Sequence, residues 1–531
     1  MHSIHIIGAG LAGLSAALTF AEAGVPCNLI SAQPSERTQS VLAEGGINAA
    51  LDTMGEHDTP AEHFADTVRG GCDLADENAV KHLTESAPEI LRRLIALGVP
   101  FNMQGDVPVL RNFGGQKKKR TAYARSSTGK IIMNAMTDAV RRYESAGLVR
   151  RYAHHSCLSL LTECGCCKGV RVLDRYTGAS ADFYGTVLLC SGGLNGVFPE
   201  KTTGTTQNTG DLTAAAFAAG VQLGNPEMLQ YHPTTVGISG KRCLVTEAAR
   251  GEGGRLYILR GGEKWYFMEE KYPELGNLMP RDVVAREMYF VRQNPECGGQ
   301  VYLDLTALPE ETWRRKLSDL RKELTDYLAL DPKADPIPVE EGIHYFMGGI
   351  DTDCAHRTNL AGLYAAGECC SQYHGANRLG GNSMLGALLG GKTAADSILA
   401  AEGIPETAEK PVWQPCSDPL AAEVPPAEAA QIRDILLGGL GIVRDAASLE
   451  GALRQLTEFA AVPHNLCTQN RILLGEAMLR GALARRESRG AHYRADYPAR
   501  DDAAFRKTTV AVYDGSAVQI TFRQLPEKGG A

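Results

Sequence analysis

The apolar run in "SIHIIGAG" is unbroken from Ile4 to Ile7 except for His5 and ends in glycines, the pattern of a short strand buried on both faces. "LSAALTFAEAG" follows, with apolar residues at helical spacing up to Gly24, and then "CNLIS" makes a second apolar strand. This alternation predicts a βαβ opening to a parallel sheet. "TVLLCSGG" near 186–193 and "GLYAAGE" near 362–368 carry two further buried-strand signals. Between 231 and 344 the texture shifts to longer charged helices and aromatic-rich turns, which predicts a second unit inserted into the first. Prolines at 405, 411, 415, 419, 425 and 426 mark a linker. Three helical stretches follow over 427–486, and a β-branched tail, "TTVAVYDGSAVQITFRQL", closes the chain.

A length of 531 residues calls for two or three cores. The predicted organisation is 1–229 and 345–402 as two parts of one domain, 230–344 inserted between them, a linker over 403–426, and 427–531 as a C-terminal helical domain with its tail. A net charge of −8 leaves no general basic field for nucleic acid, and the "KKKR" run at 117–120 reads as a solvated face. There is no basic, small-residue leader pattern at the start and no apolar run near the roughly 20 residues of a membrane helix. The expectation is a cytoplasmic protein with no direct membrane insertion. Fourteen irregularly spaced cysteines read as reduced thiols, and "CGCC" (Cys164, Cys166, Cys167) reads as a surface hairpin, so no metal site is expected.

The chemistry starts at Gly8, Gly10 and Gly13, a G-x-G-x-x-G between strand and helix. Such glycines permit the tight turn, the approach of a pyrophosphate and close helix packing, with the helix N-terminus facing phosphate. The second strand ends in Ser31 and Ala32 where an NAD site wants an acid, so the motif alone points away from NAD. Glu368, after a distant apolar strand, is a candidate ribose partner from the far side of the sheet.

Taken together, "GAGLAGLSAAL", "AEGGINAAL", "FGGQKKKRT", "NTGD", "QYHPT", "TEAARGEGG", "PRDVVAR", "HYFMGGI", "HGANRLGGNS" and "RRESRGAHYRADYP" stand in one order along nearly the whole chain. In this combination the sequence resembles the FAD-dependent succinate dehydrogenase and fumarate reductase flavoproteins, with L-aspartate oxidase a close relative. The resemblance implies an α/β fold: a Rossmann-like FAD-binding domain, an inserted α+β capping domain and a C-terminal helical domain. It implies FAD contacts from Gly8, Gly10, Leu11, Ala12 and Gly13, from Ser31, and from Ser40, Ala43, Gly45, Gly46 and Asn48. Gly192, Asp211, Glu368, Asn382, Ser383 and Met384 complete that set.

For substrate, the resemblance implies His232, Thr246, His344 and Arg378 around a small dicarboxylate, with Phe113 beside them. Arginine offers a carboxylate a planar fork that lysine lacks. It also implies Arg281 as proton donor, recharged through Glu247 and Arg250, which lie i,i+3 in "TEAARG". A guanidinium is an odd acid because it stays protonated in proteins, so the role requires a strongly basic carbanion as acceptor.

Two departures sharpen the expectation. Members that tether FAD covalently carry a histidine four residues before an A-Q-G-G run; here Gln39 stands there, and Glu44 replaces the usual Gln, so FAD is expected to bind noncovalently. Aspartate oxidases carry a glutamate where this chain has Phe113, and a phenyl ring leaves a substrate ammonium unpaired. Fumarate reduction is therefore favoured. Aspartate oxidation, reduction of another unsaturated acid, and service as the flavoprotein subunit of an iron–sulfur complex remain alternatives. No cluster motif is present, so electrons must come from an iron–sulfur protein or another donor.

Overall fold

The computed structural model describes residues 3–125, 127–238, 240–402, 411–416 and 423–526. Its centre is a five-stranded parallel sheet, in the order Leu363–Ala365, Thr186–Leu189, Ile4–Ile7, Cys27–Ser31, Val149–Ala153. Each of the four strands marked by apolar runs is in it. Val149–Ala153 was not anticipated, because its first two residues after Val149 are arginines and only the apolar end of the strand is well buried.

Helix Leu11–Glu22 leaves the first strand at the glycine turn and lies against helix Asn382–Glu402. The approach is close: a Cβ on Gly391 would fall 2.1 Å from the Ala12 carbonyl oxygen, and one on Gly13 only 1.8 Å from that of Gly8. Helices Glu77–Ala96 and Thr128–Ser145 complete one apolar layer with Leu14, Leu83, Leu91, Ile132 and Leu388 at its core. Across the sheet lies a second layer. It contains an antiparallel sheet built from His155–Glu163, Cys166–Asp174 and Ala179–Tyr184, and the C-terminal helices Pro426–Gly439, Ala446–Ala460 and Leu466–Ala484. Cys164 sits exposed at the tip of the first hairpin, as the surface-hairpin reading expects, whereas Cys167 is buried beneath it. No group of three or more possible metal ligands occurs among the described residues.

The inserted segment builds a six-stranded sheet, in the order Lys241–Leu244, Leu229–Ile238, Ile337–Phe346, Cys297–Asp304, Arg255–Arg260, Glu263–Trp265. Its own core gathers Leu256, Phe267, Val284, Trp313 and Val339. Its first and last strands pair antiparallel, with Leu229 opposite Phe346 and His232 opposite Gly342, so the chain enters and leaves through adjacent strands.

The tail forms a hairpin, Lys507–Tyr513 with Val518–Gln524, and this joins strands Leu223–Gly224 and Gly349–Asp351 instead of standing with the helices that precede it. The expected linker falls largely on 403–410 and 417–422, outside the described residues; within 411–416, strand Gln414–Pro415 pairs with Ala179–Tyr184. The "KKKR" run is not all solvated. Arg120 is fully buried because Asp58 and Asp66 meet it at 2.9 and 3.0 Å, pairing that a run of cations does not reveal in sequence. Among the described residues no helix is long and apolar enough to cross a membrane.

Candidate functional site

A cavity of about 690 Å³ runs along the carboxyl ends of the parallel strands and under the inserted sheet. At one end its wall is Gly8, Gly10, Leu11 and Ala12, where the strand turns into helix Leu11–Glu22. Gly8 has φ +122°, and a Cβ there would strike the Cys190 carbonyl at 2.0 Å, so only glycine fits. Ser40 Oγ accepts from the Leu11 amide at 3.2 Å, but no acid lies in the first helical turn, which leaves the helix N-terminus favourable to an anion. Ser31, Ser40, Ala43, Gly45, Gly46, Gly192, Asp211, Glu368, Ser383 and Met384 also line the wall. Asn208 Nδ2, in the same wall, is buried with no hydrogen-bond partner among the described residues. A long cavity, a helix start with no acid in its first turn and an unanswered donor fit FAD, whose pyrophosphate would meet the glycine turn.

Three of the expected FAD contacts stand behind this wall. Gly13 is spent on packing against Gly8. Asn48 and Asn382 are fully buried and bonded to each other, with Asn48 Nδ2 donating to Asn382 Oδ1 at 2.7 Å. They brace the segment that bears Gly46 against the start of the helix that bears Ser383. Asp211 accepts from Arg471 Nη2 at 2.5 Å, so the third C-terminal helix closes part of the cavity. Arg471, like Arg37, His155 and Arg175 elsewhere in the wall, belongs to no motif that marked it in the sequence. Glu368 accepts from the Phe346 amide at 3.1 Å, and burial pushes its carboxyl up to about 7.

At the other end Phe113, His232, Thr246, Glu247, Arg281, His344 and Arg378 converge. The paired strands at the root of the insertion place His232 and His344 with ring centroids 5.0 Å apart. Thr203 Oγ1 lies 2.7 Å from His344 Nδ1. Burial holds both imidazoles well below their ordinary range, and the Arg281 charge adds to it, so both are neutral hydrogen-bonding groups near pH 7. Thr246 precedes the short helix Glu247–Gly251, whose first turn brings Glu247 and Arg250 to one side. Arg281 opens helix Arg281–Gln293 and donates through Nε and Nη2 to Glu247 Oε2 at 3.0 and 2.5 Å. Its partner is Glu247 and not its sequence neighbour Asp282. Arg250 stands outside the cavity wall, fully buried behind Glu247, and donates to its Oε1 at 3.3 Å. Burial pushes the Glu247 carboxyl up, but Arg281 and Arg250 outweigh it and hold the group below its usual range.

Arg378 stacks over Tyr345 at 4.6 Å, and burial with the nearby Arg281 charge pulls its guanidinium down to about 9. His232 Nε2 and Arg378 Nε are buried with no hydrogen-bond partner among the described residues. Three arginines against one ionised glutamate leave two positive charges at this end, the complement of a dicarboxylate. Phe113 is 2% exposed and packs on Gly45 and Gly380, so it is at once a core residue of the inserted unit and part of the cavity wall.

Residues 4–384 match the FAD binding domain family, and residues 461–528 match the fumarate reductase flavoprotein C-terminal family. The chain is 36% identical to the succinate dehydrogenase flavoprotein subunit of Bacillus subtilis, over 96% of this chain and 93% of that protein. It is 33% identical to L-aspartate oxidase of Streptomyces coelicolor, over 95% and 90%. A solved E. coli quinol fumarate reductase chain superposes with a TM-score of 0.84 at 28% identity, covering 100% of this chain and 97% of that one.

Proposed function

From the premise that the chain belongs to the succinate dehydrogenase and fumarate reductase flavoprotein family of FAD-dependent oxidoreductases, we propose that it interconverts fumarate and succinate and works chiefly as a fumarate reductase. The observation that carries this reading is the pair of unanswered buried nitrogens, His232 Nε2 and Arg378 Nε, in a pocket end with two uncompensated positive charges. Groups this deeply buried are costly unless a ligand pairs them.

FAD, when bound, supplies the hydride. One carboxylate of fumarate meets Arg378 and His344, and the other meets His232 and Thr246. Fixing both ends orients the double bond, and the cations steady the negative charge that builds as one alkene carbon takes the hydride. Arg281 gives a proton to the other carbon. Glu247, ionised at rest on its Nε and Nη2 edge, then takes a proton from Arg250 behind it and passes it to Arg281, and Arg250 is reprotonated ultimately from water. Oxidation of succinate runs these steps backwards.

Phe113 supports fumarate over aspartate. It offers no counter-charge to an ammonium, and Glu247 is already committed to two arginines. Gln39 Oε1 accepts from the Thr205 amide at 2.5 Å, and an amide side chain has no imidazole nitrogen with which to tether a flavin, which supports noncovalent FAD. Relatives named as flavoprotein subunits support an iron–sulfur or other electron-carrying partner.

Anaerobically reduced protein mixed with fumarate should regain its oxidised flavin absorbance rapidly, while L-aspartate should fail to reduce the oxidised protein. Acid precipitation of the same preparation should leave all FAD in the supernatant. Reduction by aspartate with inertness to fumarate would reverse the substrate assignment, and colour retained in the pellet would refute noncovalent binding.

A further inference from the structure

Gln230 is fully buried at the root of the inserted sheet and has had no part in the chemistry so far. Its amide is saturated in one orientation only. Nε2 donates to Asn377 Oδ1 at 2.7 Å and to the Arg378 backbone oxygen at 2.9 Å, while Oε1 accepts from Arg281 Nη1 at 3.3 Å. A peptide oxygen only accepts and a guanidinium only donates, so the amide cannot be flipped. Asn377 is fixed in turn, donating to the Gly70 carbonyl at 3.0 Å.

We propose that Gln230 is a positioning residue that registers the proton donor Arg281 against the carboxylate-holding Arg378. The inference rests on the fumarate reading above and adds a residue to it. Glu247 grips the Nε and Nη2 edge of Arg281 from within the inserted unit, and so fixes the guanidinium only relative to that unit. Gln230 holds the remaining Nη1 edge and ties it to the backbone of Arg378, which belongs to the stretch of chain after the inserted unit. Without that tie Arg281 keeps its charge and its carboxylate partner, but loses its reference to the carbon it must protonate.

Neutrality is part of the role. A carboxylate at this position would still accept from Arg281. It would also cancel one of the two surplus positive charges and hold the Arg281 proton more tightly, making a poorer acid and a weaker dianion site.

The test uses FAD-loaded protein with fumarate turnover as one readout and malonate, a dicarboxylate that cannot be reduced, as the other. Gln230→Met keeps side-chain volume and removes all three amide hydrogen bonds. It should retain FAD and malonate affinity while kcat falls about a hundredfold, the scale expected when a reacting group is misplaced by about 1 Å. Gln230→Glu keeps volume and the acceptor, and should raise the KM for fumarate and weaken malonate binding. An unchanged kcat in Gln230→Met, or a fall in kcat matched by equal loss of malonate affinity, would overturn the assignment. So would a Gln230→Glu variant indistinguishable from wild type. These failures are separable from failure of the substrate reading, which would show as wild-type flavin inert to fumarate.

Discussion

Replacing Arg281 separates proton supply from anion binding. Arg281→Gln should retain FAD and bind malonate only about as weakly as Gln230→Glu does, each having given up one surplus charge, but lose fumarate turnover by at least about a hundredfold, the lower end of what a positioned general acid contributes. Arg281→Lys keeps the charge beside Glu247 and should fare little better, because the three hydrogen bonds to Glu247 and Gln230 need a planar guanidinium. Substantial turnover in both would remove Arg281 from the role. Residue identities at this end were legible in sequence because they sit in short ordered motifs, and His232, Glu247, Arg281, His344 and Arg378 do converge in space. The connections among them were not legible. "QYHPT" contains Gln230, yet nothing in its letters says that its amide spans two arginines, since Arg281 and Arg378 are distant in the chain and meet only through tertiary packing.

At the scale of elements, the seam between helices Leu11–Glu22 and Asn382–Glu402 admits no side chain at Gly391. Gly391→Ala would drive a methyl into the Ala12 carbonyl and should cost about 1–3 kcal/mol as overpacking, with reduced FAD content because Leu11 and Ala12 line the cavity. Gly451→Ala, in helix Ala446–Ala460, meets nothing nearer than Arg454 Nη2 at 4.0 Å and should stabilise by up to about 1 kcal/mol through helix propensity. Urea midpoints distinguish the two, and equal shifts would refute the seam argument. The βαβ opening was visible because a short apolar run ending in glycines is followed by a longer Ala- and Leu-rich stretch that stops at Gly24, although the helix it forms is buried on nearly every face, from Leu11 to Ala21. The pairing of the tail hairpin with Leu223–Gly224 was not, because β-branched alternation marks a strand without naming its neighbour.

Over the whole molecule, buried histidines set an acid limit. Burial lowers His5 to about 4, His63 to about 3, His356 to about 4 and His374 to about 3. The unfolded chain takes up protons near pH 6.5 that the folded one refuses, so stability present at pH 7 is lost as pH falls below 6.5. One unit below that value each histidine costs about 1.4 kcal/mol. Glu368 and Glu44, pushed up by burial, act in the opposite sense and offset part of this loss. The urea midpoint of the FAD-loaded protein should therefore fall between pH 7 and pH 5.5; a flat or rising midpoint would contradict the burial argument.

The two-strand root of the inserted unit divides the site between two stretches of chain. His232, His344 and Arg378, three of the four groups placed on the anion, lie outside the segment between the Thr235 and Glu340 pair, while Thr246, Glu247, Arg250 and Arg281 lie inside it. A graft exchanged at that rung would carry a new acid, together with Thr246, into a site that keeps both histidines and the anion-facing arginine, so the choice of acid is transplantable with most of the anion grip left in place.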